Sequence, residues 1–317
     1  MLSNAILLGP QRHVRIVRDA IAAVVPEKDS RPVAVVTAGW EERESEDTEL
    51  REHVGRRVQN LEVWSRVERI FTKDRELLTA MRQRHDRLRA TQELYRMRLQ
   101  GLMDPARELL RRAGDGDLLE AERGDALAML RTLDEQHMRR VATVHAEFEA
   151  KWRPHERAAV QREKRELQRH LAAASCLLIA GGHIAVLLHR LRLFDVLGLL
   201  GDRPVIAWSA GAMALAERIV LFHDDPPQGS SHAEVMEAGF GVVPGVVALP
   251  HAAKRLDVDD PLRVQVMARR FAPAICALLD DGSRLDWHEG RFRGAPGTRR
   301  LAENGGVEDI GNEEIGR

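Results

Sequence analysis

The sequence predicts an α/β protein whose mostly parallel, doubly wound sheet is interrupted by an inserted α-helical hairpin or coiled-coil arm. Three observations support this fold class. Short apolar runs alternate with helical patterns in residues 1–63 and 171–295 of the 317-residue chain, which is typical of a parallel sheet covered by helices. Between them, residues 64–170 have helical periodicity and no strand signal. A serine also stands at a strand-to-helix junction in the later α/β stretch.

The first part of the α/β domain is predicted over residues 1–63. Residues 5–9 are a strand candidate that ends in glycine, and residues 14–25 repeat apolar positions at helical spacing. Residues 32–39 are predicted to form a second buried strand, and residues 59–63 a short third one. Strand and helix therefore alternate as they do in parallel sheets.

The helical insertion is predicted over residues 64–170. Its apolar residues recur at steps of three, four or seven along two long stretches, so we expect two long helices joined by a turn at residues 114–117. Asp104 and Pro105 fit an N-cap and a first helical position, which predicts that a shorter helix begins there. A long helix cannot bury its apolar stripe alone, so the arm should pack as an antiparallel hairpin or against a second subunit.

The arm is interpreted as a dimerisation or partner-binding element rather than a solvated spacer, because its apolar stripe extends over several heptads. Its charges of both signs are interspersed and no aromatic platform accompanies them, so no nucleic-acid partner is expected. Besides a substrate, the expected partners are a second copy of the chain, bound through the α/β domain or the arm, and another protein.

The second part of the α/β domain is predicted over residues 171–295. A buried strand is expected at residues 175–180, and further strands at residues 274–279 and 284–288. From residue 296 the chain becomes polar, glycine-rich and acidic, so the tail, residues 296–317, is expected to be loosely ordered.

Composition narrows the class of protein further. The net charge is −1, so no overall field favours nucleic acid or a membrane surface. Cys176 and Cys276 lie in apolar runs and are predicted to be reduced and buried. No zinc-type spacing is present, and neither a metal nor another cofactor is expected. The N-terminus lacks a signal peptide pattern and no run has membrane length, so a cytoplasmic location without membrane contact is expected.

A possible nucleophile stands at Ser209. Residues 205–207 are a short apolar strand candidate, and residues 210–212 are all small. A serine at the tip of a strand-to-helix turn needs small neighbours, because the backbone there is crowded and Oγ must stand clear of it. The N–H of Ala210 would then point to where an oxyanion forms. From these residues alone, an ordinary turn with a serine helix cap is equally compatible.

Several stretches carry a family resemblance in their order and separation. They are residues 180–188, with a glycine-rich turn; 207–212, Ala-Trp-Ser-Ala-Gly-Ala; 223–226, His-Asp-Asp-Pro; 241–244, followed by Pro250-His251; and 280–283, Asp-Asp-Gly-Ser. Together they resemble the aspartyl dipeptidase and cyanophycinase family of serine peptidases. The resemblance implies a flavodoxin-like, class I glutamine amidotransferase-like fold, and it does not cover the helical insertion.

The resemblance also implies a Ser–His–acid hydrolase. Ser209 matches the nucleophile, His251 the general base and Asp224 the carboxylate that orients it, while the amides of Gly182 and Ala210 match the oxyanion hole. The chemistry suits these residue types: a serine hydroxyl needs an adjacent base, and an imidazole can take its proton and return it to the leaving amine. The resemblance implies that these groups meet at the edge of a single sheet.

Some positions depart from the family pattern and leave alternatives open. His183 stands where the family commonly has another glycine, and Lys254 and Arg255 follow the histidine in an unusual sequence. These three residues and Asp225 are the candidates for substrate binding, and Asp225 also remains an alternative to Asp224 as the triad acid.

The predicted function is hydrolysis of a peptide or isopeptide amide through an acyl-enzyme. The alternative is a catalytically degenerate scaffold whose helical arm mediates oligomerisation or partner binding. A glutamine amidotransferase is disfavoured, because serine rather than cysteine stands at the turn and thioester chemistry needs a thiolate.

Overall fold

Strands and helices alternate through the computed structural model, which describes residues 4–114, 116–223 and 232–314. The strands are Asn4–Leu8 (β1), Val33–Val36 (β2), Val58–Asn60 (β3), Leu177–Ile179 (β4), Val205–Trp208 (β5), Arg218–Leu221 (β6), Glu234–Ala238 (β7), Val246–Pro250 (β8), Ile275–Leu279 (β9), Arg284–His288 (β10), Arg291–Gly294 (β11), Arg299–Leu301 (β12), Val307–Asp309 (β13) and Asn312–Glu314 (β14). The helices are Val17–Val24 (α1), Thr48–Val54 (α2), Val63–Lys73 (α3), Arg75–Arg111 (α4), Asp117–Trp152 (α5), Ala158–Ala173 (α6), Ile184–Phe194 (α7), Val196–Leu200 (α8), Ala210–Leu215 (α9), Ala252–Arg255 (α10) and Pro261–Phe271 (α11).

The main sheet has eight strands in the order β14-β11-β10-β1-β5-β4-β2-β3. The five strands from β1 to β3 in this order are parallel, and β10, β11 and β14 extend the sheet in antiparallel fashion. Leu7 and Leu8 of β1 enter opposite core layers, as successive strand residues do when helices cover both faces. The predicted α/β fold is confirmed, and the carboxyl end of β5 lies between β1 and β4.

A second sheet has the order β13-β12-β9-β8, and β6 pairs with β7 separately. β8 precedes His251, so the expectation that all site residues meet at the edge of one sheet is wrong. One face of β8 and β9, with Val247, Leu249 and Leu278, is buried in a core cluster that β5 does not enter, while the other face shares a cluster with β5. A short apolar run predicts a buried strand but carries no information about which sheet it joins.

The helices α4 and α5 pack side by side as the predicted antiparallel hairpin. Arg87 donates to Glu147, and Arg98 donates to Gln136 at 2.7 Å. Residue numbers thus rise along one helix as they fall along the other. The two helices have 37 and 36 residues.

Pro105 does not begin a helix. It lies inside α4, which continues through it to Arg111, so the predicted shorter helix after Asp104 is wrong. Proline removes one backbone donor and crowds the carbonyl four residues earlier, here that of Gly101. The helix persists because Met103, Ala106 and Leu110, on either side of the proline, are buried, and helices gain most of their stability from such packing.

The arm covers its apolar stripe within the chain. Leu99 and Leu130 of the hairpin share a core cluster with Leu249 of β8 and Phe271 of α11. The hairpin therefore forms one wall of the core around the second sheet, which a solvated spacer would not do.

The C-terminal tail is more ordered than its composition predicts. Residues 296–314 include β12, β13 and β14, so the prediction of a loosely ordered tail is wrong for these residues. Leu301 and Ile310 are buried in the two largest core clusters. Two well-spaced apolar anchors hold the segment although its overall composition is polar.

Both cysteines are free and buried, as predicted. Burial raises the pKa of Cys176 and of Cys276 to about 12, which keeps them protonated and unreactive at neutral pH. Among the described residues, no helix is at once long and apolar enough to cross a lipid bilayer.

Candidate active site

Ser209 occupies a strained turn between β5 and α9. Its backbone has φ 52° and ψ −123°, a conformation that a non-glycine residue adopts only when its surroundings enforce it. Such a turn presents the serine Oγ beyond the end of the strand. The strain and the position together favour a nucleophile over a simple helix cap, and the Ser209 side chain makes no cap hydrogen bond to α9.

Glycines make room for this turn. A Cβ on Gly181 would lie 2.7 Å from the Cβ of Ser209, and a Cβ on Gly211 would lie 2.3 Å from the carbonyl oxygen of Ile179. Neither approach is possible for real atoms, because both neighbours are fixed by the backbone. The small residues that the sequence places around Ser209 are therefore required by close packing between the ends of β4 and β5.

His251 reaches Ser209 from the second sheet. It follows β8, and its N–H donates to the carbonyl oxygen of Leu279 at the end of β9 at 3.1 Å. Its backbone is left-handed, with φ 58°, so the chain turns sharply there. The Nε2 atom of His251 lies 3.2 Å from the Oγ of Ser209. The structure thus brings together two residues that are 42 positions apart.

The amides of Gly182 and Ala210 flank the serine. Gly182 has φ 110°, and a Cβ there would lie 2.2 Å from the carbonyl oxygen of Gly39. The same carbonyl accepts the N–H of His183 at 2.7 Å, which fixes the glycine turn. Gly182 and Ala210 both line the cavity above Ser209.

Of the other predicted site residues that the structure describes, only Arg255 lines the cavity. His183 is exposed, and its Nδ1 accepts the N–H of Val186 at 3.3 Å as a cap of α7, outside the cavity lining. Lys254 is also exposed and away from the lining, whereas Arg255 lines it. Asp224 and Asp225 lie outside the described residues.

The cavity at Ser209 has a volume of about 940 Å³. Its rim is rich in charge, with basic and acidic side chains from several elements. These are Arg12, Arg43, Glu46, Glu49, Arg96, Glu234 and Arg255. No group of three metal-ligating side chains lies in this cavity within the part of the chain that is described.

The helical arm forms part of the cavity wall, which is one of the places that the sequence left open for it. Arg96 of α4 donates from Nε to Glu234 at 2.7 Å and from Nη2 at 3.1 Å, and Gln92 donates to the same carboxylate at 3.0 Å. Both Arg96 and Glu234 line the cavity. Their pairing depends on how α4 docks against β7, and no local sequence pattern encodes that docking.

The electrostatic surroundings of His251 predict a pH effect. Burial, followed by Arg255 and Lys254, lowers the pKa of His251, against a smaller opposing effect of Asp281 and Asp280. The sequence predicts that His251 is a general base, and a general base works in its neutral form, so the rate is expected to rise with pH through this pKa. In Arg255→Gln the pKa should rise, and the acid limb of kcat/KM should move to higher pH by less than about one unit.

Lys254→Gln is the matched control for this measurement, because Lys254 lies outside the cavity and acts more weakly. Its acid limb should move in the same direction by a smaller amount. An acid limb that stays in place in Arg255→Gln, or moves to lower pH, would contradict this account of the site.

The profile of peptidase family S51 matches residues 127–294, just over half of the chain, and this stretch contains Ser209 and His251. The comparison with curated proteins finds no match.

Two solved structures are similar in fold. A peptidase from an acI-B1 Actinobacterium shares 12% identity, with a TM-score of 0.51, over 99% of this chain and 98% of its own. A candidate peptidase E from Listeria monocytogenes EGD-e shares 10% identity, with a TM-score of 0.45, over 95% of this chain and 100% of its own. The first of them supports the α/β architecture described above, and because the family profile spans more than half of the residues, this chain belongs to peptidase family S51.

Proposed function

We propose that the chain hydrolyses a peptide or isopeptide amide through an acyl-enzyme on Ser209. The 3.2 Å separation between Ser209 Oγ and His251 Nε2 carries this proposal. Oγ attacks the carbonyl carbon as its proton passes to His251, and the amides of Gly182 and Ala210 hold the oxyanion. His251 then gives the proton to the leaving amine, and water, activated by the same imidazole, releases the acid.

A fluorophosphonate probe tests the nucleophile directly. The wild-type chain should be labelled, Ser209→Ala should not, and Ser65→Ala should be labelled as the wild type is, because Ser65 lies on α3 outside the cavity lining. Absent labelling of the wild type, or equal labelling of Ser209→Ala, would remove the proposal.

We propose Asp224 as the carboxylate that fixes the tautomer of His251 and stabilises the imidazolium. The support is the family resemblance, in which Asp224 has the matching place, and Asp225 is the competing candidate. Asp224→Asn should lower kcat on the order of 10⁴-fold, while Asp225→Asn should have a small effect. The reverse pattern would assign the role to Asp225.

The basic residues at the cavity favour a substrate with a carboxylate near the scissile amide. Arg12 and Arg255 line the cavity, and neither has a carboxylate partner among the described residues. A guanidinium binds a carboxylate with two parallel hydrogen bonds. In a dipeptide panel, Arg255→Gln should raise KM for acidic substrates and leave KM for their amide analogues nearly unchanged; equal changes for both would contradict this assignment.

A second candidate function is self-association through the arm, either beside catalysis or in its place. Leu94 and Met97 of α4 are 62% and 73% exposed, and their spacing of three puts them on one face of the helix. A second copy of the chain would cover them. Light scattering should then give a dimer mass for the wild type and a monomer mass for Leu94→Lys/Met97→Lys; a monomeric wild type would exclude this role.

The two reduced cysteines fit a reducing compartment, and we propose a cytoplasmic location on that basis.

A further inference from the structure

Three metal-ligating side chains converge outside the catalytic cavity. His145 lies on α5 of the arm, His189 on α7 and Glu237 on β7. The Nε2 of His145 is 2.8 Å from Glu237 Oε2, and the Nε2 of His189 is 2.7 Å from Oε1. One ligand atom from each of the three residues lies within 4.8 Å of the others. The three residues are far apart in sequence, so no spacing motif reveals them.

Glu237 is buried at the centre of the cluster. Its carboxylate is 3% exposed, and His145, His189 and Arg192 contact it. Ionised carboxylate and neutral imidazole nitrogens are ligands that Zn²⁺ and similar ions take.

The surrounding charges limit how Glu237 could bind. Arg192 donates from Nη1 to Oε2 of Glu237 at 2.6 Å, so this oxygen already has a cationic partner. Among the described residues, Oε1 has a hydrogen bond with His189 alone. Glu237 can therefore ligate through Oε1 and stay anchored by Arg192 through Oε2, which is the outer partner that metal-binding carboxylates usually have.

Space is also available for a further ligand. A cavity of about 560 Å³ is lined by His145, His189 and Glu237 together. Metal–ligand distances of about 2.0–2.2 Å place tetrahedral ligand atoms about 3.4 Å apart. From its present 2.7 Å, the Nε2 of His189 therefore has to withdraw from Oε1 by about 0.7 Å, and His145, which now contacts Oε2, has to turn toward the same ion. Water or a solute from the cavity can complete the coordination.

We propose that His145, His189 and Glu237 form a binding site for Zn²⁺ or a similar divalent transition metal. The ion replaces the imidazole protons that these histidines donate to Glu237 and releases them to solvent. It joins α5 of the arm to α7 and β7, so its binding stabilises the docked arm. This site shares no residue with the proposed serine hydrolase machinery, and either proposal can fail without the other.

The test is metal titration of the full chain after removal of metals with EDTA. The wild type should bind one equivalent of Zn²⁺ in competition with a chromophoric chelator, and Co²⁺ should give the absorption of a four-coordinate nitrogen and oxygen site. His145→Ala and His189→Ala should each weaken Zn²⁺ binding by more than about 100-fold, since even outer-shell changes cost 10–100-fold.

His155→Ala is the matched control, because His155 lines the same cavity and is not one of the three ligands; it should bind Zn²⁺ as the wild type does. Zn²⁺ should also raise the Tm of the wild type and of His155→Ala, and leave that of His145→Ala unchanged. No stoichiometric binding to the wild type, or equal loss in His155→Ala, would overturn the proposal. The wild-type Co²⁺ spectrum decides the matter even where a variant misfolds.

Discussion

Replacing Ser209 by alanine is expected to lower kcat for amide hydrolysis by about a thousand- to a million-fold. The alanine keeps the strained turn and the cavity but removes the only atom at this position that can attack a carbonyl carbon. The measurement is turnover of a cleaved dipeptide, identified from a library with the wild type. KM should change little, because Oγ contributes to the reaction rather than to substrate binding.

A double variant shows whether Ser209 and His251 act as one unit. His251→Ala alone should cost nearly as much as Ser209→Ala, because the serine hydroxyl without its base is a poor nucleophile. Ser209→Ala/His251→Ala should then be no slower than either single variant, since the two losses do not add. Multiplied losses in the double variant would contradict the shared proton transfer, and full activity of Ser209→Ala would contradict the nucleophile.

The sequence indicated the core of this site because its information is local. Ser209 follows an apolar strand and precedes three small residues, so the pattern can be read from neighbouring positions. The reason for one of them, Gly211, is its close approach to the carbonyl oxygen of Ile179 on β4. His251 was indicated by its place after Pro250 in an ordered set of family-like stretches. The structure brings Ser209 and His251 within 3.2 Å, although they end strands of different sheets.

Other features could not be predicted because they depend on docking. Arg96 enters the cavity wall through a contact with Glu234, 138 positions away, and the helical periodicity of α4 does not specify the partner of any one polar residue. The helix start predicted at Pro105 is wrong for a related reason. Local propensity favours a helix start at a proline, but the tertiary packing of its neighbours overrides that propensity and continues the helix. The strands of the tail could not be predicted from its polar composition, because burial of only two residues, Leu301 and Ile310, holds them in place.

The docking of the arm against the α/β part also leads to the second large effect that we expect, a loss of stability. Arg270 of α11 is 1% exposed and donates to both oxygens of Asp134 on α5, at 2.8 and 2.6 Å. It also donates to the Oη of Tyr95 on α4 and to the carbonyl oxygen of Ala233, each at 2.8 Å. One buried guanidinium thus connects both helices of the arm to the α/β part of the chain.

Asp134→Ala is expected to lower the free energy of unfolding by about 3–5 kcal/mol, because it leaves the buried charge of Arg270 without its partner. Urea denaturation measures this loss. Glu147→Ala removes another carboxylate between the two arm helices, but its pair with Arg87 is exposed, with 61% and 50% of the side chains accessible, so it should cost less than about 1 kcal/mol.

The double variant Asp134→Leu/Arg270→Met separates the value of the ion pair from the penalty of breaking it. Both buried charges disappear together, and apolar side chains of similar length fill their place, so most of the lost stability should return. The Tyr95 hydroxyl still accepts the N–H of Val235 at 3.1 Å, but its own O–H, which donates to Asp134 at 2.8 Å, loses its acceptor, so the recovery should fall short of the wild type. A double variant that is less stable than Asp134→Ala would show that the ion pair itself, rather than an unpaired buried charge, determines how strongly the arm is held.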